Sequence, residues 1–215
     1  MSFSNSQYIH WIDRCADALT AAQDALTALD TVIGDGDHGL NMQRGFAKAK
    51  EKLATEAGKD LGSLSKTVGM TLLSTVGGAS GPLYGTFFIK AATALNGKNE
   101  TDLPTLAQAI ADGATGIAAR GHAVAGDKTM VDVWLPVAEA LKQAAAGGAE
   151  LKTALQAAAQ TAQAQAEATI PLVAKKGRAS YLGERSAGHK DPGAASSAHA
   201  FCPGAWPDLI AHRFS

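Results

Sequence analysis

From Tyr8 onward, apolar residues recur at alternating four- and three-residue steps: Ile12, Cys15, Leu19, Ala22, Leu26 and Leu29. One seam sustained over about six turns predicts a bundle helix from about Ser6 to Leu29. The pattern then repeats. Met42, Phe46, Ala49 and Leu53 mark a second helix over about 39–57, and Leu61, Leu64, Val68, Leu72 and Val76 a third opened by Asp60. A fourth begins near Pro82, whose missing N–H costs nothing in a first turn. Asp102 caps a fifth through Leu103, Leu106, Ile110 and Ile117, and a sixth runs from about Thr129 with Met130, Val133, Val137 and Leu141. Gly147-Gly148 ends it, and an alanine-rich seventh extends from Leu151 to about Ile170. No segment shows a convincing two-residue alternation. The expectation is an all-α bundle of antiparallel neighbours joined by short loops.

The loops are unequal. Asn96–Glu100 is a plain connector, whereas Asp30–Asn41, Gly77–Gly81, Gly121–Thr129 and Gly177–Gly193 carry unusual residues. If helices alternate up and down, the first, third, fifth and seventh connections share one end of the bundle. Those are the same four loops, so their parity alone gathers them at one site.

Composition narrows the partners. The 215 residues suit one domain, 1–215, with a sizeable core. A net charge of -1 and sparse charged residues point to neither nucleic acid nor an anionic membrane surface. No apolar run approaches the length of a membrane span. Cys15 lies on the first helical seam, Cys202 is far from it, and no signal peptide is evident, so a reducing, cytoplasmic setting is expected.

The chemistry begins at Asp30-Thr-Val-Ile-Gly-Asp35-Gly-Asp37-His38-Gly39-Leu40-Asn41, where three carboxylates fall within eight residues. In an extended Asp-Gly-Asp run the Asp35 and Asp37 side chains point the same way. Asp30, at a helix end, can fold back to meet them. Two carboxylates ~4 Å apart repel by about 4 kcal/mol at an effective dielectric near 20, so such a cluster calls for a cation. Oxygen-only ligands favour Mg²⁺ or Ca²⁺, and Mg²⁺ is expected here. Asp37 also stands where an N-cap for the next helix belongs. An EF-hand is excluded, because the twelfth position from Asp35 is Phe46 rather than Glu. Gly34–Gly39 fits G-x-G-x-x-G, but a helix precedes it instead of a strand, so it is no dinucleotide fingerprint. Phosphate can bind here through metal.

The other three loops add anion-binding chemistry. Gly77–Gly81 leads into a helix N-terminus with exposed N–H groups. Gly121–Thr129 resembles a Walker A loop, but Asp127 interrupts its Gly-Lys-Thr core and no strand precedes it. It can still wrap a nucleotide, with Met130 against a purine face. The Lys175–Gly193 connection is long enough to be a lid, and its Arg178 offers a planar fork for a transferring phosphoryl group. His38 and His189 are candidate bases or phosphate-orienting groups.

Gly34–Met42, Gly77-Gly-Ala-Ser-Gly-Pro-Leu-Tyr-Gly85, Gly126-Asp-Lys-Thr-Met130 and Lys176–Arg185 followed by Asp191-Pro-Gly193 occur in that order. Together they resemble the nucleotide-binding L subunits of dihydroxyacetone kinases, over roughly residues 5–197. The resemblance implies an eight-helix antiparallel up-and-down barrel with the nucleotide at one end. It implies two Mg²⁺ ions on Asp30, Asp35 and Asp37. It further implies ADP or ATP contacts from His38, Gly39, Leu40, Asn41, Ala79, Ser80, Gly121, Met130, Arg178, Asp191, Pro192 and Gly193. In the bacterial phosphotransferase-system version, tightly held ADP is rephosphorylated by an M subunit (DhaM-like). The γ-phosphoryl then passes to dihydroxyacetone, held on a histidine of a K subunit (DhaK-like). A homodimer is also expected.

Two alternatives stay open: a subunit exchanging free ATP, for dihydroxyacetone or a four-carbon ketose, and a non-catalytic nucleotide-sensing regulator. The chain departs from the family after Ser197, where Pro203 and Pro207 interrupt the expected apolar helix. A shortened last helix, about Gly193 to Phe201, and an irregular tail from about 202 are therefore expected.

Overall fold

The computed structural model describes residues 2–201. Its helices are α1 (Asn5–Ala21), α2 (Gln23–Ile33), α3 (His38–Leu53), α4 (Leu61–Thr75), α5 (Ser80–Leu95), α6 (Leu103–Gly121), α7 (Val131–Ala146), α8 (Leu151–Ala168) and α9 (Pro192–His199). The boundaries follow local chemistry. Asp60, Asp102 and Asp191 each cap a helix by accepting the N–H three residues on. Ser4 and Gln7 form a capping box before α1.

Two features differ from the sequence expectation. The first helix is broken at Ala22, although the ladder runs through it: Ala22 N–H donates to Ala18 O and Leu26 N–H to Ala22 O. Just before the break, the Thr20 hydroxyl donates back to Ala16 O at 2.8 Å. The same threonine back-bond occurs inside α4, α5 and α8 without interrupting them, so it does not by itself account for the break. The second difference is a two-residue antiparallel pair, β1 (Phe3–Ser4) with β2 (Glu100–Thr101), which clips the N-terminus to the α5–α6 connection. It is too short for alternation to announce it. The last helix is shortened as expected, and the predicted tail from 202 lies outside the described residues.

Each of α3 through α9 packs on the next in sequence, and α9 returns to α1, α2 and α7. The core inside this ring is one continuous apolar cluster. Trp134 stacks on Phe87 and meets Phe201 edge-on, and Trp11 Nε1 donates to Ala200 O at 2.8 Å. These contacts seat the end of α9 between α1 and α7, and the α2–α3, α4–α5, α6–α7 and α8–α9 connections meet at one end. Among the described residues no helix is long and apolar enough to cross a membrane.

Candidate functional site

All four unusual loops line one cavity of about 350 Å³, within the range of small-molecule sites. The α2–α3 turn contributes its mouth. A carboxylate oxygen from each of Asp30, Asp35 and Asp37 can be chosen so that all lie within 4.8 Å of one another. Asp30 does double service: its Oδ2 accepts from Asp37 N at 3.0 Å and His38 N at 3.1 Å. It thus caps α3 from the neighbouring helix. Asp37 stands at the N-cap position, yet its side chain makes no cap bond there. Glycine explains how Asp30 fits, since a Cβ on Gly34 would lie 2.0 Å from Asp30 Oδ1. Arg178 leans over the cluster and pairs with Asp35 at 2.9 Å.

Behind the carboxylates sits His38, buried, its Nε2 2.9 Å from Ser196 Oγ and its Nδ1 3.1 Å from Ser80 Oγ. Burial holds the imidazole below its ordinary pKa, against the opposing pull of Asp30 and Asp37. Ser196 Oγ also lies 3.0 Å from Gly193 O, so one hydroxyl links the imidazole to the first turn of α9. Tyr84 completes this buried network through Ser196 and Ser197, each at 2.8 Å.

Of the residues expected around a nucleotide, His38, Asn41, Ala79, Ser80, Gly121, Met130, Arg178, Asp191, Pro192 and Gly193 line the cavity. Gly39 and Leu40 stand outside the lining. Gly39 is pressed against α2, where a Cβ would lie 2.0 Å from Gln23 O, and Leu40 points half-exposed away from the core. His189 is also outside it and contributes its main-chain carbonyl instead.

Several features of the site have no signal in the sequence. Arg44 donates to Asn41 Oδ1 at 2.8 Å while also holding Thr75 O, which fixes the Asn41 side chain at the cavity wall. Asp132 accepts from Gly126 N and Thr129 N, fixing the α6–α7 loop. Leu83, Ile117, Ala123 and Val131 give the cavity an apolar wall beside Met130. Lys128 is buried, and its ammonium is held by main-chain carbonyls. Asp191 is pushed up to about 7, chiefly by burial, with Asp132 and Asp30 adding to it and the Ala194 N–H bond and Lys128 opposing. Lys128 and its carbonyl partners stand 41 to 61 residues apart, and the shorter-range bonds of Arg44 and Asp132 depend on how the loops fold, so spacing could not reveal them.

Fold and site together define an all-helical domain with a cation-competent carboxylate cluster at the mouth of a half-apolar cavity. The chain belongs to the DAK2 domain family, which it matches over residues 32–202. It is 54% identical over 91% of its length to the ADP-binding subunit DhaL of the PEP-dependent dihydroxyacetone kinase of Escherichia coli K12, and covers 93% of that protein. It is 40% identical over 90% of its length to the ADP-binding subunit DhaL of the PTS-dependent dihydroxyacetone kinase of Lactococcus lactis, covering 92% of it. Among solved structures it resembles the dihydroxyacetone kinase of C. freundii in complex with AMP-PNP and Mg²⁺. There the TM-score is 0.69 at 29% identity, over 94% of this chain and 33% of the kinase.

Proposed function

We propose that this chain is the ADP-binding subunit of a PEP-dependent dihydroxyacetone kinase, and that its nucleotide occupies the cavity between the four loops. The observation that carries the reading is the meeting of Asp30, Asp35 and Asp37 beside the N-termini of α3 and α5, with Arg178 above them. Three carboxylates with oxygens in mutual reach, and no nitrogen or sulfur donor among them, fit hard divalent cations. Asp30, Asp35 and Asp37 would hold two Mg²⁺ ions. Bound there, the ions would neutralise charge on the nucleotide's phosphates.

The chain's own groups do the rest. Main-chain N–H groups at the start of α5 are placed to receive phosphate oxygens. His38 holds the Ser80 hydroxyl in one orientation, and Asn41 presents its amide N–H groups. The apolar wall from Leu83 to Val131 suits a purine. Arg178, released from Asp35 or shared with it, steadies the transferring phosphoryl group. The ring of helical segments acts as a closed antiparallel barrel carrying this site at one end.

In this reading ADP stays bound and is rephosphorylated in place by an M-like donor. The phosphoryl group then moves to dihydroxyacetone held on a K-like partner. Reconstitution with each component omitted in turn tests it: turnover is expected only with all present. Labelled ATP is expected to exchange slowly with the bound nucleotide. Rapid exchange supporting turnover without the donor would instead make the chain part of an ATP-using kinase.

A further inference from the structure

The outer wall of the cavity is the segment 171–188, which joins α8 to α9 and carries Arg178 in its 3-10 turns (Arg178–Ser186). It closes on itself. Gly188 N–H donates to Ile170 O at 2.8 Å, and Ala174 N–H to Ser186 Oγ at 2.9 Å. It also has its own small apolar cluster, in which Ala174 and Ala179, with Leu182 packed on them, meet Ile33 of α2. That cluster is separate from the main core. Further ties to the body are the Arg178–Asp35 pair and Lys175, whose N–H donates to Asp127 O at 3.1 Å and whose ammonium lies 3.8 Å from Asp127 Oδ1. A compact loop with close ends and its own packing is an Ω-type unit.

Both ends of that unit converge on one ammonium. Lys128 Nζ donates to Thr169 O at 2.7 Å, to Ile170 O at 3.3 Å and to His189 O, so all three of its N–H donors are used. Two of those carbonyls precede the segment and the third follows it. Lys128 is 1% exposed, and its backbone is in the left-handed region at φ 62°. The loop beneath it is fixed by Asp132, as described above. An ammonium so enclosed has no water to fall back on; removing it leaves His189 O without its donor and strips the charge-assisted bond from Thr169 O and Ile170 O, which keep only the N–H groups of Leu172 and Gly188.

We propose that Lys128 is a positioning residue that pins segment 171–188, and with it Arg178, over the three aspartates, and so sets how long a nucleoside diphosphate stays in the cavity. The retention half rests on the nucleotide reading above. The pinning half does not. The pinned unit is a local element whose opening leaves the helical ring intact, and such elements open at lower free energy than the whole fold.

Lys128→Met, which keeps the side chain's length and removes its donors, is the test. In the metal-free, nucleotide-free full chain, hydrogen exchange of amides 171–188 is expected to quicken about ten-fold or more, from the loss of charge-assisted hydrogen bonds. Exchange in α3–α6 is expected to stay unchanged. With Mg²⁺ and ADP bound, release of labelled ADP into excess unlabelled ADP is expected to quicken by a similar factor. Ile33→Ala, which loosens the same unit without touching Lys128, is expected to quicken the same amides and calibrates what opening of the unit looks like; if Lys128→Met does not fold, Lys128→Gln, whose shorter side chain loses the charge and the reach, decides the matter by the same measurement. Unchanged exchange in 171–188, or a uniform rise across every helix, overturns the pinning. Selective quickening with an unchanged ADP release rate overturns the link to retention. Failure of the unsubstituted chain to bind ADP with Mg²⁺ overturns the nucleotide reading, and the exchange measurement still decides whether Lys128 pins the segment.

Discussion

Asp30 carries two loads that a sequence shows as one. Its carboxylate belongs to the metal-competent cluster, and it also accepts the first N–H groups of α3. Asp37 belongs to the same cluster and makes no cap bond. The two are therefore separable. In metal-free protein, Asp30→Ala is expected to cost about 1 kcal/mol, the usual worth of a cap, and Asp37→Ala distinctly less. Urea melts in EDTA measure both, and equal losses would deny Asp30 its capping role. The cluster was legible because three acids within eight residues can hardly avoid one another. The cap was not, because it crosses between helices. Asp191 was legible as a motif residue, but its ionisation was not, since burial decides it. Folded, it keeps its proton to about pH 7; unfolded, only to about pH 4. The folded state thus holds an extra proton between those values. This contribution to stability is full below about pH 4 and is lost as the pH rises through 7. Asp191→Asn keeps a good cap while removing the titration. Its unfolding midpoint, followed from pH 4.5 to 8 in nucleotide-free protein, is expected to fall less with pH than that of the unsubstituted chain.

The elements were legible in proportion to their length. Apolar seams placed α3, α4, α6 and α7, because burial of one face is what stabilises such helices, whereas Pro82 marked the start of α5 and the Gly147-Gly148 pair that of α8. The break at Ala22 escaped, since both the apolar seam and the backbone ladder run through it. The stretch around Arg178 reads as loop and contains 3-10 turns, whose short repeat leaves no apolar stripe to read. Gly39 shows how an element-level cause can pass for a ligand-level one. It sits in a motif associated with nucleotide, yet its lack of a side chain lets α3 approach the backbone of α2. An added Cβ would meet Gln23 O at 2.0 Å and Thr27 Oγ1 at 2.5 Å. A main-chain carbonyl cannot swing aside, so Gly39→Ala is expected to cost about 3 kcal/mol, the upper end for overpacking. Pushing α2 from α3 also lengthens the Asp30 bonds to Asp37 and His38. Metal-dependent ADP binding is then expected to weaken along with stability. A variant of unchanged melting temperature would show that the helices tolerate separation there.

At the scale of the whole molecule, the four loops that form the cavity hang from α2 through α9, so a ligand touching all four ties together almost the entire ring. Stability and occupancy are then one equilibrium, and a ligand at a hundred times its dissociation constant adds about 2.7 kcal/mol to the fold. The acidic mouth decides which ligand can do this. Without cations, an approaching polyphosphate meets Asp30, Asp35 and Asp37 at repulsions of about 4 kcal/mol per close pair, more than one helix N-terminus returns. Mg²⁺ alone relieves the repulsion among the carboxylates but does not reach the apolar wall at Met130 and Leu83. On the proposed reading, ADP alone would reach that wall and be repelled at the mouth. Only both together satisfy the two halves of the cavity, so their effects on the melting temperature are expected to exceed additivity. Scanning calorimetry of the full chain with Mg²⁺, with ADP in EDTA, and with both measures the coupling, and chelation of the complex should reverse it. ADP stabilising the chain as strongly in EDTA as in Mg²⁺ would mean that the phosphates avoid the carboxylates altogether.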